Sequence, residues 1–485
     1  MAKKNKDQKE NSDLELQTII GNQITNGLGY LGGQLSDQRR KSLEYYLGDK
    51  LGTEIDGRSQ VVSTDVSDTI ESLLPNLLRV FTASDNVVRC EPMTAEDVPM
   101  ADQATAYLNH VFYKENNGFQ LLYNFFKDAL IEKNGFLKIY WDDSEKVDYE
   151  TYENLSPVEK EALQDTKDEI EIVDEEVFED EDAKEQFEAT LAQYEAQGMD
   201  VSQIQVPNFN LYNCKIKRIK KTGKVKIESV PPEEFLIERN AKTIDDADFV
   251  AHKVLMTRSD LVSMGYSQDE VDELPKSDLD IYNNEEIVRM RDIDEYNVST
   301  PTDSSTEKVL IYECYIKYDY DGDGIAELRK VVAAGSDGSH ILSNMPCDNI
   351  PFVTVTPIPM PHRFYGRSIS ELVEDVQLMK STVMRQLLDN MYLTNNNRVA
   401  IMDGMVNMDD LLTTRPGGIV RTKQPPNQVL QPLQAQPISQ QAFPLLSYLD
   451  SVREGRTGVS KEAQGLSPDT LNAKTATGVN ALMTQ

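Results

Sequence analysis

The feature that most constrains this fold is the helical periodicity of residues 369–396, ISELVEDVQLMKSTVMRQLLDNMYLTNN. Ile369, Leu372, Val373, Val376, Met379, Val383, Leu387, Leu388 and Met391 recur at steps of three and four, the repeat of an amphipathic helix. Ser368 or Ser370 can cap the start, and the run Asn395-Asn396-Asn397 stops it. About 25 helical residues span roughly 37 Å, so the chain must build a body that accommodates a long rod. Apolar neighbours such as Leu372-Val373 and Leu387-Leu388 widen the stripe, which predicts contacts on more than one flank.

The rest of the chain alternates helical and β patterns, predicting an α+β fold. Residues 1–20 read as a disordered tail, overlapping from about 16 a helical pattern that runs to about 50 and stops at Gly48. Helices are expected at 65–80, interrupted by Pro75, and over 99–133, followed by a strand at Gly135–Trp141. LYNCKIKRIKKTGKVKIESVPP predicts two strands pairing around Thr222-Gly223. A polar loop is expected at 275–306, a β-hairpin at 308–334 and a strand at 350–358. Short strands VAIMDG and GIVRT, a Gln/Pro-rich segment and a helix at 439–454 follow, and a last helical pattern begins at 473.

The 485 residues suggest two to four domains, and 39% hydrophobic with 27% charged residues excludes global disorder. The formal charge of −33 counts against a protein that holds nucleic acid by neutralising phosphates. Between Asp142 and Glu188 stand 21 acidic residues and 4 lysines, about half of that charge, which reads as a solvated surface insertion at 142–205, helical at 183–197. Cys90, Cys214, Cys314 and Cys347 form no CxxC pair, so a reducing compartment is expected. The charged N-terminus is no signal peptide, and no apolar run approaches the roughly 18 residues of a membrane span.

Catalytic signatures are sparse. There is no GxxxxGK[ST], HExxH or GxSxG, and His110, His252, His340 and His362 do not cluster. Gly27-Leu28-Gly29-Tyr30-Leu31-Gly32 fits GxGxxG but lacks a preceding strand, so glycines before a helix are the better reading. Asp319, Asp321 and Asp323 with Gly324 form the front half of a calcium loop, to which Glu327 can add an oxygen. Lys330 stands where such a loop needs a bidentate glutamate, and an Asp/Gly-rich turn without metal is the other reading. A metal-dependent phosphodiesterase using these aspartates, or a calcium-stabilised structural protein, remain alternatives. Lys215, Lys217, Arg218, Lys220, Lys221, Lys224 and Lys226 either touch phosphates or pair with acids of the same chain.

PHRFYGRSISELVEDVQLMKSTVMRQLLDNMYLTNNN resembles the segment leading into the stem helix of tailed-phage portal proteins, the head–tail connectors. SLEYYLGD, TIESLLPNLLRVFTASDNVVRCEP, VPPEEFLI, DADFVAHKVLMTRSDL and EAQGLSPDTLNAKTATGVNALMTQ extend the resemblance collinearly over most of residues 40–485, toward the podovirus-type branch. The chain ends at Gln485, inside a helix where portals usually continue into crown and barrel.

The resemblance implies a non-enzymatic ring of usually twelve subunits around a DNA channel at one capsid vertex of the virion, assembled in the host cytoplasm. It implies a wing at 21–367, β-rich over 206–367, a stem helix at 368–396 and a clip at 397–425. It further implies a tunnel loop at 426–438, a wing helix at 439–457 and a crown-side start at 458–485. Partners implied are copies of itself, the large terminase, a tail adaptor, scaffolding and major capsid proteins, and passing double-stranded DNA. No cofactor is required by the resemblance; structural Ca²⁺ at the aspartate loop stays open. Glu371, Glu374, Asp375, Lys380, Arg385 and Asp389 become candidates for the channel wall, with Arg385 able to pair within the helix. Gln428, Gln431, Gln434 and Gln436 become candidates for the tunnel loop. Twelve copies would carry about −400 formal charge, which repels the duplex and limits adhesion.

Overall fold

The strand Lys308–Tyr318 is covered on both faces, which explains its nearly unbroken apolar run. Leu310, Tyr312, Cys314 and Ile316 enter one core, while Val309, Ile311 and Tyr315 point the other way. It pairs antiparallel with Phe249–Thr257 and Glu327–Ala334, with Cys314 opposite Ala251 and Val331. His340–Pro346 and Phe235–Ile237 flank these to complete a five-stranded sheet. The computed structural model describes residues 2–84, 86–143, 145–164, 169–196, 209–221, 223–276, 284–290, 303–396, 398–413, 415–433 and 436–459. They form a mixed α+β chain in two units, Met1–Ile139 with Ile227–Gln485, and Tyr140–Lys226.

On one face of the five-stranded sheet lies the helix Ala2–Tyr30, with Leu16, Ile20 and Ile24 fully buried. The helix thus begins before the boundary expected at residue 20 and is docked from Leu16 onward. Three apolar residues at four-residue spacing suffice to dock the helix, although the polar residues between them keep the segment's average hydrophobicity low. Gly338, at φ +66°, admits the helix closely: a Cβ there would stand 2.4 Å from Ile24 Cδ1. The glycines of GLGYLGG lie within the helix and a widened turn at Leu31–Leu35, where Gly33 alone leaves helical angles. They form no phosphate-binding loop. The helix Ser36–Leu47 then ends at Gly48 in the left-handed region.

A helical layer forms the second core of this unit. Asp65–Thr82 runs on through Pro75, because Val66, Ile70, Leu74 and Leu78 continue one buried stripe on both sides of it. The pattern at 99–133 breaks into Val98–His110, a wide turn at Val111–Glu115 and Gly118–Glu132, with Asn117 at φ +51° between them. Leu121, Leu122, Phe125 and Phe126 pack on the Asp65–Thr82 stripe. Gly135–Asp142 pairs with Phe352–Val355 and lies between it and Lys224–Val230 in a three-stranded sheet. The expected 275–306 loop contains a helix, Asn284–Met290.

The unit Tyr140–Lys226 unites the acidic and basic runs. Asn210–Lys221 is the central strand of a sheet between Glu145–Leu155 and Glu169–Glu179. Lys217 meets Glu171 at 3.0 Å and Arg218 meets Glu150 at 3.0 Å. The reading in which the basic strand pairs with acids of its own chain is therefore the one observed for these residues. The hairpin expected around Thr222-Gly223 does not form, since Asn210–Lys221 and Lys224–Val230 belong to different sheets. The boundary placed at 205 likewise cuts through this sheet. Helix Glu181–Ala196 stands where the Ala/Gln pattern placed one.

Near the C-terminus, Arg398–Ile401 pairs with Leu430–Leu433. The expected 426–438 loop thus includes a strand, preceded by the one-turn helix Pro426–Val429. GIVRT supplies a single bridge, Thr422 to Val406, rather than a strand. The helix Ser439–Thr457 closes the described chain despite Pro444, and residues 460–485 of the expected crown-side start lie outside the described residues.

Candidate functional site

The long helix spans Ser370–Asn395 and is set into the chain rather than laid upon it. Its side Val373, Gln377, Ser381 and Arg385 is buried against the helices Ser36–Leu47 and Asp65–Thr82. Polar residues there complete backbone that other elements leave open. Gln377 accepts from the Val66 amide at 2.8 Å and donates to the Tyr45 carbonyl at 2.9 Å. Ser381 accepts from the Ser63 amide at 3.0 Å. Gln377 thereby satisfies an amide at the start of Asp65–Thr82, a site where Thr64 makes no side-chain cap. On another flank Ser439–Thr457 runs antiparallel, as contacts from Asn390 to Gln436, Lys380 to Asp450 and Asp375 to Arg456 show.

The charged residues of this helix mostly turn inward. Glu371 lies 2.9 Å from Lys133 and 3.6 Å from Arg367. Glu374 accepts from Ser42 at 2.8 Å and meets Lys41 at 3.2 Å. Asp389 accepts from the Ser59 amide at 2.8 Å. Lys380 is shared between Asp65 and Asp450, each at 2.7 Å; burial opposes its charge, but the two carboxylates hold its pKa above the ordinary lysine value. Arg385 donates to the Val61 carbonyl at 2.8 Å, to Thr53 at 2.9 Å and to Glu54. Asp375 is exposed and bound to Arg456 at 2.5 Å. Burial acts against its ionisation, and Arg456 nevertheless keeps its carboxyl below the usual range.

The expected pairing of Arg385 within the helix is corrected by this geometry. Arg385 is 6% exposed and pairs with Glu54 of another segment, not within the helix. Lys380 spans two neighbouring helices. The face left open carries Asp375, Met379, Thr382 and Gln386, followed by Met391, Tyr392 and Leu393 near its end.

A comparison with protein families matches residues 16–485 to the phage SU10 portal protein family. The chain belongs to this family of tailed-phage portal proteins. It is a head–tail connector of DNA packaging, in a structural family whose members are components of the virion capsid. No helix among the described residues is long and apolar enough to cross a membrane.

The portal's other expected sites are less unified. Gln428 sits in the turn Pro426–Val429, Gln431 in the strand opposite Ala400, and the Gln436 carbonyl accepts from Asn390 at 2.9 Å. Gln434 lies outside the described residues. The three aspartates do converge: one carboxylate oxygen from each of Asp319, Asp321 and Asp323 lies within 4.8 Å of the others. Their oxygens already serve the loop. Asp319 accepts from the amides of Gly322, Asp323 and Gly324 at 2.8–3.1 Å, and Asp323 accepts from Ile325 at 2.7 Å. Glu327 stands outside this group and pairs with Arg329 at 3.1 Å. Sequence reading missed Asp65 and Arg453, paired at 3.1 Å in the interior, and a buried cluster around Glu132. Nothing in local spacing marks either, because the partners are remote in the chain.

Proposed function

We propose that the portal closes into a ring of about twelve copies, with Ser370–Asn395 as the stem helix lining a channel for double-stranded DNA during packaging and ejection. The observation that carries this reading is the long helix's open face. With its antiparallel neighbour it leaves Met391, Tyr392, Leu393, Phe443, Leu445 and Tyr448 uncovered by their own chain. Large apolar side chains grouped on one helical pair are what a neighbouring copy would cover.

Asp375 is the wall candidate that best fits the channel, with Thr382 and Gln386 beside it on the same face. An acidic and polar lining, with the adjacent Arg456 committed to Asp375, offers phosphates little to bind, which lets a duplex slide. Residues 397–425 with their paired strand would form the clip that meets the large terminase and then a tail adaptor. The N-terminal sheet and helices would form the wing toward scaffolding and major capsid proteins. The terminase would supply the packaging energy.

Negative-stain microscopy with light scattering tests this. Rings with a central hole and a mass near twelve chains are expected, and Tyr392→Asp with Leu393→Asp should shift the population to smaller species. A monomer or dimer that persists when scaffolding protein is added would overturn the proposal.

A further inference from the structure

Three glutamates from distant parts of the chain meet inside the larger unit, away from the long helix. Glu132 ends the helix Gly118–Glu132, Glu233 lies between the strands Lys224–Val230 and Phe235–Ile237, and Glu285 opens Asn284–Met290. They are 1%, 4% and 2% exposed. One carboxylate oxygen of each lies within 4.8 Å of the others.

The surrounding cations do not balance these charges. Arg289, one turn beyond Glu285, donates to Glu132 Oε1 at 2.8 Å, Glu233 Oε2 at 3.1 Å and Asp128 at 3.4 Å. Arg39, fully buried, gives its Nε to the Glu132 carbonyl and an NH1 hydrogen to the Pro232 carbonyl. It approaches Glu285 Oε2 only to 3.9 Å. Four carboxylates thus face two guanidiniums. Oε2 of Glu132 and Oε2 of Glu285 have no hydrogen-bond partner among the described residues, although both are enclosed. Such atoms are costly to bury unless something binds them.

We propose that Glu132, Glu233 and Glu285 hold a divalent metal ion of calcium size. The donor set is all carboxylate oxygen, which suits a hard cation and excludes the thiolate- and imidazole-seeking metals. Calcium–oxygen bonds of about 2.3–2.6 Å place opposed ligand oxygens up to roughly 5 Å apart, a span that covers the observed spacing. Two positive charges cancel the excess of the four carboxylates over the two arginines. Arg289 occupies Oε1 of Glu132 and leaves its Oε2 for the metal. The Arg289 side chain is one-third exposed, so the cluster is reached from solvent on that side. The ion joins three remote segments and ties Asn284–Met290 to the body.

The test uses the full chain, stripped with chelator at pH 7.5 and titrated with CaCl2. Calorimetry is expected to give a calcium-binding site that Glu285→Gln removes and Asp321→Asn in the separate aspartate loop leaves intact. Hydrogen exchange at 284–290 should slow about 100-fold when free calcium is 100 times its Kd, if exchange passes through detachment of that helix. Unchanged exchange at 284–290 in the native chain would overturn the proposal, and that measurement stands even if the Glu285→Gln variant does not fold. So would binding that disappears with Asp321→Asn and survives Glu285→Gln.

Discussion

Asp65→Asn is the substitution whose cost follows most directly from the packing around the long helix. Asp65 is 1% exposed and accepts from Lys380 at 2.7 Å, from Arg453 at 3.1 Å and from the Ser63 hydroxyl at 2.5 Å. It thereby joins the start of Asp65–Thr82 to both long antiparallel helices. Asparagine keeps the shape and removes the charge. Lys380 retains Asp450 at 2.7 Å, but Arg453, 5% exposed, loses its ion pair. Removing one partner of a buried pair costs about 3–5 kcal/mol, and the retained Asp450 contact places the expected loss near the lower figure. In a unit of about 400 residues, an unfolding entropy of about 2.1 cal/mol/K per residue makes 3 kcal/mol worth about 4 °C in Tm. Calorimetry of Asp65→Asn, Arg453→Met and the double variant should show that the double loses about 2 kcal/mol less than the two singles together. A Tm shift below 1 °C, or strict additivity, would refute the view that Asp65 holds the helical pair by charge.

Glu313 is partly buried between Lys138 and Lys330, which overcome the cost of burial and hold its carboxyl at about 2. Because the folded value lies below the unfolded one, its stabilisation is complete above about pH 5 and fades as the pH falls toward 2, on the order of 3 kcal/mol. Glu313→Gln should flatten that acid limb, and an unchanged limb counts against the pairing. Ile20→Ala removes a fully buried side chain under the five-stranded sheet and should cost about 3 kcal/mol in chemical denaturation; native stability would mean that the N-terminal helix is not docked. Asp319→Ala strips the loop of its amide acceptor and should cost about 1 kcal/mol in chelator. A penalty seen only with calcium present would assign the loop to a cation instead. Lys215→Ala with Lys217→Ala should leave duplex retention in a gel-shift assay unchanged, since Lys217 is committed to Glu171; a clear loss would restore the phosphate-contact reading.

Much of the local structure was legible because it depends on neighbours in sequence. The hairpin at 308–334 follows from two apolar runs around an Asp/Gly turn. The helical pattern from about 16 was legible, but neither the start of its helix nor the surface it docks on. Leu16, Ile20 and Ile24 sit in a polar segment, and only the sheet beneath them turns three contacts into a docked helix. The strand Asn210–Lys221 was legible as a strand but not its partners. Its flanking strands are so acidic that they read as solvated surface until the cross-strand pairs with the basic strand are known.

Sequence alone determined the length of Ser370–Asn395, its stopping point and the family to which the chain belongs, because periodicity and collinear motifs are properties of order along the chain. Tertiary structure decided which way that helix faces. Lys380 meets Asp65, 315 positions away, and Arg385 meets Glu54, 331 positions away. Glu132, Glu233 and Glu285 converge across more than 150 residues. A charge on an amphipathic helix has the same sequence signature whether it points to solvent, to a neighbouring copy or into its own core. The desolvation and pairing that distinguish these outcomes arise only where distant segments meet.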